Sequence, residues 1–357
     1  MKYTIKQLSL NNFRLYDNKI VDFEDGINIL VGKNASGKTT ILEAINLFGV
    51  GRSFRTYFDT DIVKKNKEFY FIKGLFENDN NKEEIVLSYT QKGKKIIVNG
   101  NSESKISDYI GKVKTVCFSP LDLNIVKGEP KQKRNFIDQT ISILDKEYLK
   151  DVILYNRLLK ERNEVLKKWT GSIENEQIIK VYSIKMVEVA KKIIIKRKKY
   201  IEKIGYYANV NIQNISNHSE MIKIVYKENI NEEDIEYKYL NCYKEDVSSQ
   251  TTLFGPHRDS YVVLINNDNI NDFGSNGQQK SAAIAMKLAV SDLIKEKEQN
   301  AIILLDDVFG ELDGGRQKYL IKNLKEKGQV IISTTDISLI SEEIINDSKI
   351  IKMDEGE

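Results

Sequence analysis

The 357-residue sequence contains only two cysteines, Cys117 and Cys242, and two histidines, His218 and His257. Two isolated cysteines supply neither a disulfide framework nor the paired spacing of a zinc site. No apolar run approaches the roughly 20 residues that cross a bilayer. The N-terminus, "MKYTIKQLSLNNFRLYD", alternates like a strand and lacks the charged-then-apolar pattern of a secretory leader. A net charge of +3 is too small to announce a nucleic-acid partner, so any basic surface must be local. These absences predict a cytoplasmic protein with reduced thiols and no membrane contact. With 41% hydrophobic and 30% charged residues, the chain reads as globular and long enough for two lobes or one composite domain.

The strongest positive feature is "INILVGKNASGKTTILEAINLF". Ile27 to Val31 is a short β-branched apolar run, predicting a buried strand. Gly32, Lys33, Asn34, Ala35, Ser36, Gly37, Lys38 and Thr39 then match G-x-x-x-x-G-K-[ST] at every position, followed by Thr40. Ile41, Leu42, Ala44, Ile45 and Leu47 continue at helical spacing. Glycines let backbone amides turn inward around phosphate oxygens, and the helix N-terminus adds partial positive charge. Lys38 is the expected ligand of the β- and γ-phosphates, and the Thr39 hydroxyl the expected ligand of Mg²⁺. ATP and Mg²⁺ are therefore the expected cofactors.

A second segment, "AIILLDDVFGELD", supplies a continuous apolar strand, Ala301 to Leu305, ending in Asp306 and Asp307. Two adjacent carboxylates at a strand end are costly unless a cation or proton chemistry uses them. Asp306 is the expected Mg²⁺ ligand, directly or through water, and Asp307 the group that orients or deprotonates the attacking water. "GQVIISTTD", residues 328 to 336, is a further strand whose terminal hydroxyls suit a sensor of the γ-phosphate.

The polar stretch "GSNGQQK", residues 274 to 280, precedes a helix of strong formers. A glycine-and-serine turn at a helix start is a second anion-seeking site. Either one nucleotide touches both sites within one subunit, or each copy's Ser275, Asn276, Gly277 and Gln278 close on the nucleotide of another copy.

The order of phosphate loop, long insert, glycine-glutamine signature, acidic strand and "ELD" loop resembles the ABC-type ATPases. More closely, the chain resembles the RecF family of bacterial DNA replication and repair proteins. The resemblance rests on "NNFRLYD", "GRSFRT", "FSPLDLNIVKGEPKQKRNFID", "GPHRDS", the signature and "LLDDVFGELD", spread over essentially the whole chain. It implies an α/β ABC-type head with ATP sandwiched between two subunits, the signature acting in trans and Asp313 in the D-loop. It further implies that Arg14 approaches the nucleotide phosphates. The implied activity is a weak, DNA-stimulated ATPase acting in recombinational repair and replication on duplex or gapped DNA. Its implied partners are DNA, a second copy of the chain, and RecR- and RecO-type mediator proteins that help load a recombinase. The sequence departs from the superfamily in lacking its switch histidine, for which Ser333, Thr334 or Thr335 stands in. It has Asp307 where the superfamily has glutamate, and Ser260 where an acidic residue is expected in "GPHRDS".

Hydrophobic spacing divides the chain into an N-terminal head part (1–125), a mainly helical insert (126–250) and a C-terminal head part (251–357). DNA contacts are expected at Arg52 and Arg55 in "GRSFRT", which alternatively face the insert. Lys131, Lys133 and Arg134 are further candidates. Cations at a helix start oppose the helix dipole, so a ligand or partner is expected to hold them. The basic run "KKIIIKRKKYIEK" (191–203) is either a DNA stripe or a solvated amphipathic face. His257 is either structural or catalytic. The main competing function is the ATPase subunit of an ABC transporter, which carries the same loop and acidic strand. A transporter subunit usually has an LSGGQ-like signature, a switch histidine and a shorter insert. A metabolic kinase would lack the signature helix.

Overall fold

The computed structural model describes residues 3–56, 58–79, 81–309 and 314–353. The chain divides into two compact units. The first comprises residues 1–122, 213–218 and 284–357, and the second residues 123–212 and 219–283.

In the first unit two sheets share a core with the helix Lys38–Val50. The apolar run Ile27–Val31 is a strand, as its β-branched composition predicts, and it enters a five-stranded parallel sheet. The sheet order is Ser348–Lys352, Ile27–Val31, Gly328–Thr334, Ala301–Asp306, Thr115–Phe118. Every residue of Ala301–Asp306 is buried, which is why that strand reads as an unbroken apolar run rather than an alternating one. The strand carrying the terminal hydroxyls lies between the phosphate-loop strand and the acidic strand. Ser333 pairs in register with Asp306, and Thr334 with Val31. Three strand ends thus meet at one carboxyl-terminal edge, where open α/β sheets bind ligands.

The second sheet is antiparallel, in the order Tyr16–Asp22, Tyr3–Phe13, Tyr70–Asn78, Asn81–Thr90, Gly93–Val98, Asn101–Ser102. The helix Lys38–Val50 packs in the common core of both sheets. Its Ile41, Leu42, Ile45 and Phe48 share one buried cluster with Leu10, Ile72 and Leu87 of the antiparallel sheet and Ile302, Leu304 and Ile331 of the parallel sheet. Burial on nearly all sides explains why this helix is apolar almost all round. The register of the antiparallel sheet shifts between Ile5 and Gln7. There the buried Gln329 side chain satisfies both Ile5 backbone groups, accepting from its amide at 2.8 Å and donating to its carbonyl at 2.9 Å.

The second unit is mainly helical. It contains the helices Pro130–Leu144 and Lys146–Lys167 and most of the 43-residue helix Ile173–Ile215. It also contains a three-stranded antiparallel sheet, in the order Asp268–Asn269, Ser260–Ile265, Ile222–Lys227. The segment that follows residue 251 contributes the central strand of this sheet. Ser260–Ile265 pairs along its whole length with Ile222–Lys227, and the Tyr261 hydroxyl donates to the Ile125 carbonyl at 2.5 Å. Residues 251–283 therefore belong with the second unit.

Candidate functional site

The phosphate loop leaves the strand Ile27–Val31 and enters the helix Lys38–Val50 through two left-handed residues, Ala35 (φ 67°) and Gly37 (φ 92°). Gly37 is required twice over. Its φ is strained for any side chain, and a Cβ there would fall 2.0 Å from the Tyr16 hydroxyl. Lys33, Asn34 and Ala35 are exposed at the crest of the loop, while Ser36, Gly37, Lys38 and Thr40 are buried. The Lys38 ammonium donates to the loop's own carbonyls, Gly32 at 2.6 Å and Lys33 at 2.7 Å. Burial pushes it below the ordinary lysine value, while Asp307 and Asp306 pull the other way.

The acidic strand end completes the arrangement. Thr39 Oγ1 donates to Asp306 Oδ1 at 2.7 Å, and Ser333 Oγ donates to the same oxygen at 2.9 Å. Burial raises the Asp306 carboxyl, and these two hydroxyls oppose the rise. The Asp307 amide donates to Ser333 Oγ at 3.1 Å. Asp307 itself is exposed and has φ 53°, a left-handed conformation that costs a non-glycine residue about 1 kcal/mol. That turn directs two successive aspartates differently: Asp306 is buried against Thr39, and Asp307 faces solvent. Of the three hydroxyl residues considered for the sensor role, Ser333 is the one bonded to the acidic pair. Thr334 Oγ1 donates to the Asp336 carbonyl instead, and Thr335 is exposed.

The signature forms the N-terminus of the helix Asn276–Glu296. Ser275 and Gln278 make a reciprocal capping box: the Gln278 amide donates to Ser275 Oγ at 3.2 Å and the Ser275 amide to Gln278 Oε1 at 2.9 Å. Ser275 and Asn276 are exposed. A Cβ on Gly277 would meet a single atom, Ser275 Oγ, at 3.9 Å. Asp313 lies outside the described residues.

A family model described as an AAA ATPase domain matches residues 1–355. The chain is 34% identical to the DNA replication and repair protein RecF of Bacillus cereus, over 99% of this chain and 97% of that protein. It is equally identical to RecF of Halalkalibacterium halodurans, over 99% and 98%. The chain belongs to the RecF family. A solved structure of the recombination mediator protein RecF-ATP in the RecFOR pathway superposes with a TM-score of 0.87 at 33% identity, covering 95% of this chain and 94% of that one. An Smc head bound to the C-winged helix domain of ScpA shares the fold, with a TM-score of 0.55 at 16% identity over 98% and 93% of the two chains. The expected ABC-type ATPase head is thus the fold, and this RecF-family chain is an ATPase of DNA replication and repair.

The loop of this RecF-family chain fits a nucleotide triphosphate on its own chemistry. The buried Ser36 Oγ has no hydrogen-bonding partner among the described residues. The Lys38 cation is desolvated and spends its protons on carbonyls rather than on an anion. Among the described residues no group of three or more His, Cys, Asp or Glu side chains could hold a metal unaided. A magnesium ion would therefore need nucleotide oxygens beside Thr39 and Asp306.

Other expected site residues lie elsewhere. Arg14 Nη2 and Nε donate to Glu43 at 2.6 and 3.0 Å, and Arg55 Nη1 donates to the same carboxylate at 3.3 Å. Arg52 is half-buried and Lys131 exposed. Two of the expected DNA-contact cations have partners within the chain. Lys133 is 5% exposed and donates to the Tyr261 carbonyl at 3.3 Å. Arg134 is half-buried and donates to the Asp259 carbonyl at 2.8 Å. The partner that holds cations at this helix start is the chain's own segment Asp259–Tyr261. The basic run 191–203 is likewise neutralised internally: Lys191 pairs with Glu236, Lys192 with Glu188, and Lys198 with Glu228 and Glu232. Within it Arg197 is buried, bridging Asp138 at 2.9 Å and Asp259 at 2.9 Å.

Sequence reasoning missed Tyr16 and Glu43. Both lie inside quoted motifs, but neither is chemically unusual, and their roles depend on which loop they abut. His257 is structural. Its Nε2 donates to the Thr252 carbonyl at 3.0 Å, leaving Nδ1 to accept from the Tyr155 hydroxyl at 2.7 Å.

Proposed function

We propose that this chain is an ATP-dependent DNA-binding protein that dimerises on ATP, with each copy's signature closing on the other copy's nucleotide. Gly277 carries this reading. Among the described residues only Ser275 Oγ, at 3.9 Å, comes near where its side chain would be, and its φ is not one that demands glycine, so the missing side chain leaves room for something outside the chain. The exposed, capped helix N-terminus around Ser275 and Asn276 is an anion-seeking surface suited to a partner copy's phosphates.

The bound nucleotide supplies the phosphoanhydride bond for hydrolysis. The loop residues Gly32 to Thr39 and Lys38 hold its phosphates, with Arg14 at the edge. Thr39 and Asp306 hold Mg²⁺, and Ser333 fixes the orientation of Asp306. Asp307, exposed beside them, positions a water and accepts its proton. Turnover is slow and DNA-stimulated, a timer for the DNA-bound dimer. Arg52, Arg55 and Lys131 are the candidates for DNA phosphate contacts. The relative solved with ATP is a recombination mediator of the RecFOR pathway. By that likeness we assign RecR- and RecO-type proteins as partners, cytoplasmic action at duplex or gapped DNA, and help in recombinase loading.

Light scattering with ATP, ADP and neither, together with ATPase rates with and without gapped duplex, tests the proposal. Dimers specific to ATP and faster turnover on DNA are expected. A monomer under all three conditions, or a rate indifferent to DNA, overturns it.

A further inference from the structure

The long helix Ile173–Ile215 buries one face, on which Met186, Ile193, Ile204 and Ile212 lie. The face turned away from them should be polar, yet an apolar row runs along it in solvent. Ile173, Ile184, Ile195 and Tyr206 recur every eleven residues, which is three helical turns with about 20° to spare. Ile184 is 54% exposed, Ile195 53% and Tyr206 66%. Val181 and Val210, also exposed, lie on the same face. Single apolar residues in solvent need no explanation, but an aligned row does.

The row is nearly palindromic about Ile195. Ile184 and Tyr206 lie eleven residues before and after it, and Val181 and Val210 fourteen before and fifteen after. The charges between them repeat the symmetry: Glu188 and Glu202 lie seven residues before and after, Lys192 three before and Lys199 four after. Two acids and two bases leave this ridge neutral, which does not suit a track of DNA phosphates. Glu188 pairs with Lys192 at 2.6 Å. Lys199 and Glu202 are exposed and make no ion pair among the described residues. A row that reads alike in both directions matches a copy of itself run antiparallel, the self-complementarity that a two-fold interface requires.

We propose that this ridge docks on the same ridge of a second copy of the chain, antiparallel, with Ile195 against Ile195 on the two-fold axis. Ile184 then lies level with the second copy's Tyr206, and Val181 with its Val210. Each Glu188 comes within a turn of the second copy's Lys199, and each Glu202 within a turn of its Lys192, so a neutral set of four charges flanks the axis on either side. A groove beside the first half of the ridge receives the larger side chains. It opens between the helices Lys146–Lys167 and Ile173–Ile215, holds about 740 Å³ and is lined by Leu154, Leu158, Ile178, Val181 and Val189 among others. The second copy's Tyr206 and Val210 stand over it, and the two-fold repeats the arrangement. A register that set Glu188 opposite Lys199 would place Ile195 against Lys192. Burying an aliphatic side chain outweighs an exposed ion pair severalfold, so the apolar register prevails.

One helical ridge gives an interface at the small end of the range, with a dissociation constant on the order of 10–100 µM. The contact shares no residue with the phosphate loop or the signature, and it rests on neither ATP-driven dimerisation nor DNA binding. Its effect is local: copies gathered on one template hold one another.

Sedimentation of the nucleotide-free chain between about 1 and 300 µM tests the contact. A reversible monomer–dimer equilibrium is expected. Ile195→Asp sets two carboxylates together on the axis and should weaken it at least roughly tenfold. Ile195 is half exposed, so this variant should keep the parent's circular dichroism and ATP affinity. Cross-linking reads the direction. Cys117 is buried, and Cys242→Ser removes the other thiol. In that background Ile195→Cys should form disulfide dimers under mild oxidation. Ile184→Cys mixed with Tyr206→Cys should give the mixed dimer, and Ile184→Cys alone should not. A chain that sediments as a monomer throughout, or an association indifferent to Ile195→Asp, overturns the proposal and leaves the ridge to a helix of another protein. Ile184→Cys linking to itself would mean parallel helices and overturns it equally. Dimers that form only with ATP uphold the nucleotide-closed pair and count against this contact.

Discussion

The Tyr16 hydroxyl donates to the Ser36 carbonyl at 2.9 Å, and the same hydroxyl stands where a side chain on Gly37 would have to go. The phosphate loop is thus braced from the strand Tyr16–Asp22 behind it, by a tyrosine only 2% exposed. Tyr16→Phe would leave the Ser36 carbonyl unpaired, at a cost of about 1 kcal/mol, or several-fold in nucleotide affinity. Gly37→Ala would force the ring away and should abolish binding. Titration with a fluorescent ATP analogue separates the two. A Tyr16→Phe variant that binds as tightly as its parent removes the brace from the account.

Asp306 illustrates a site held against its own stability. Burial places its folded pKa above its unfolded value, so the folded state binds the extra proton between the two. Stability falls as pH rises through that window, and the whole penalty is present above the folded pKa. Asp306→Asn keeps an acceptor for Thr39 and Ser333 and removes the charge. The nucleotide-free variant should therefore melt at a higher temperature than the parent at pH 7 to 8, and the gain should shrink towards pH 3.8. Magnesium-dependent hydrolysis should disappear at all pH values. Calorimetric melts across pH check the sign, and a lower melting temperature at neutral pH would count against it.

His257 gives the opposite pH signature. Burial, with further depression from Arg258 and Arg134, lowers its pKa from 6.5 to about 4, outweighing the Thr252 carbonyl that favours protonation. The imidazole is neutral in the folded state and charges more readily when unfolded. Its contribution is complete above pH 6.5 and is lost as pH falls towards about 4, amounting to roughly 3 kcal/mol. NMR titration should find this imidazole still neutral at pH 5.5. His257→Gln should flatten the loss of stability between pH 6.5 and 4. A transition near 6.5 would mean that the imidazole is solvated.

Where local order dictates structure, the sequence was legible. The phosphate loop needs its glycines, lysine and threonine at consecutive positions, and the acidic strand announces itself by six buried residues ending in a charge. What could not be read was which charges the fold neutralises. Arg197 and Lys133 look like any basic residues on a helix, yet both are buried against Asp259, Asp138 or a strand carbonyl contributed from distant sequence. The partner of the strand that follows residue 251 was hidden for the same reason. The composition of Ser260–Ile265 marks a strand, but only its pairing with Ile222–Lys227 reveals which unit it joins.

The signature offers the sharpest separation between binding and assembly. Ser275 uses its hydroxyl on the Gln278 amide, and its side chain otherwise faces solvent, so a longer residue there disturbs no core. Ser275→Arg removes the capping acceptor, costing about 1 kcal/mol of helix stability. It also places a bulky cation at the surface where a partner copy's loop would dock. Nucleotide affinity of the monomer should stay within about twofold, since the phosphate loop is untouched. ATP-induced dimers, followed by light scattering, should be lost at concentrations where the parent is fully dimeric. Dimers that persist in the variant would place the closing surface somewhere other than the start of the helix Asn276–Glu296. Loss of ATP binding together with dimers would mean that both nucleotide contacts reside in a single copy.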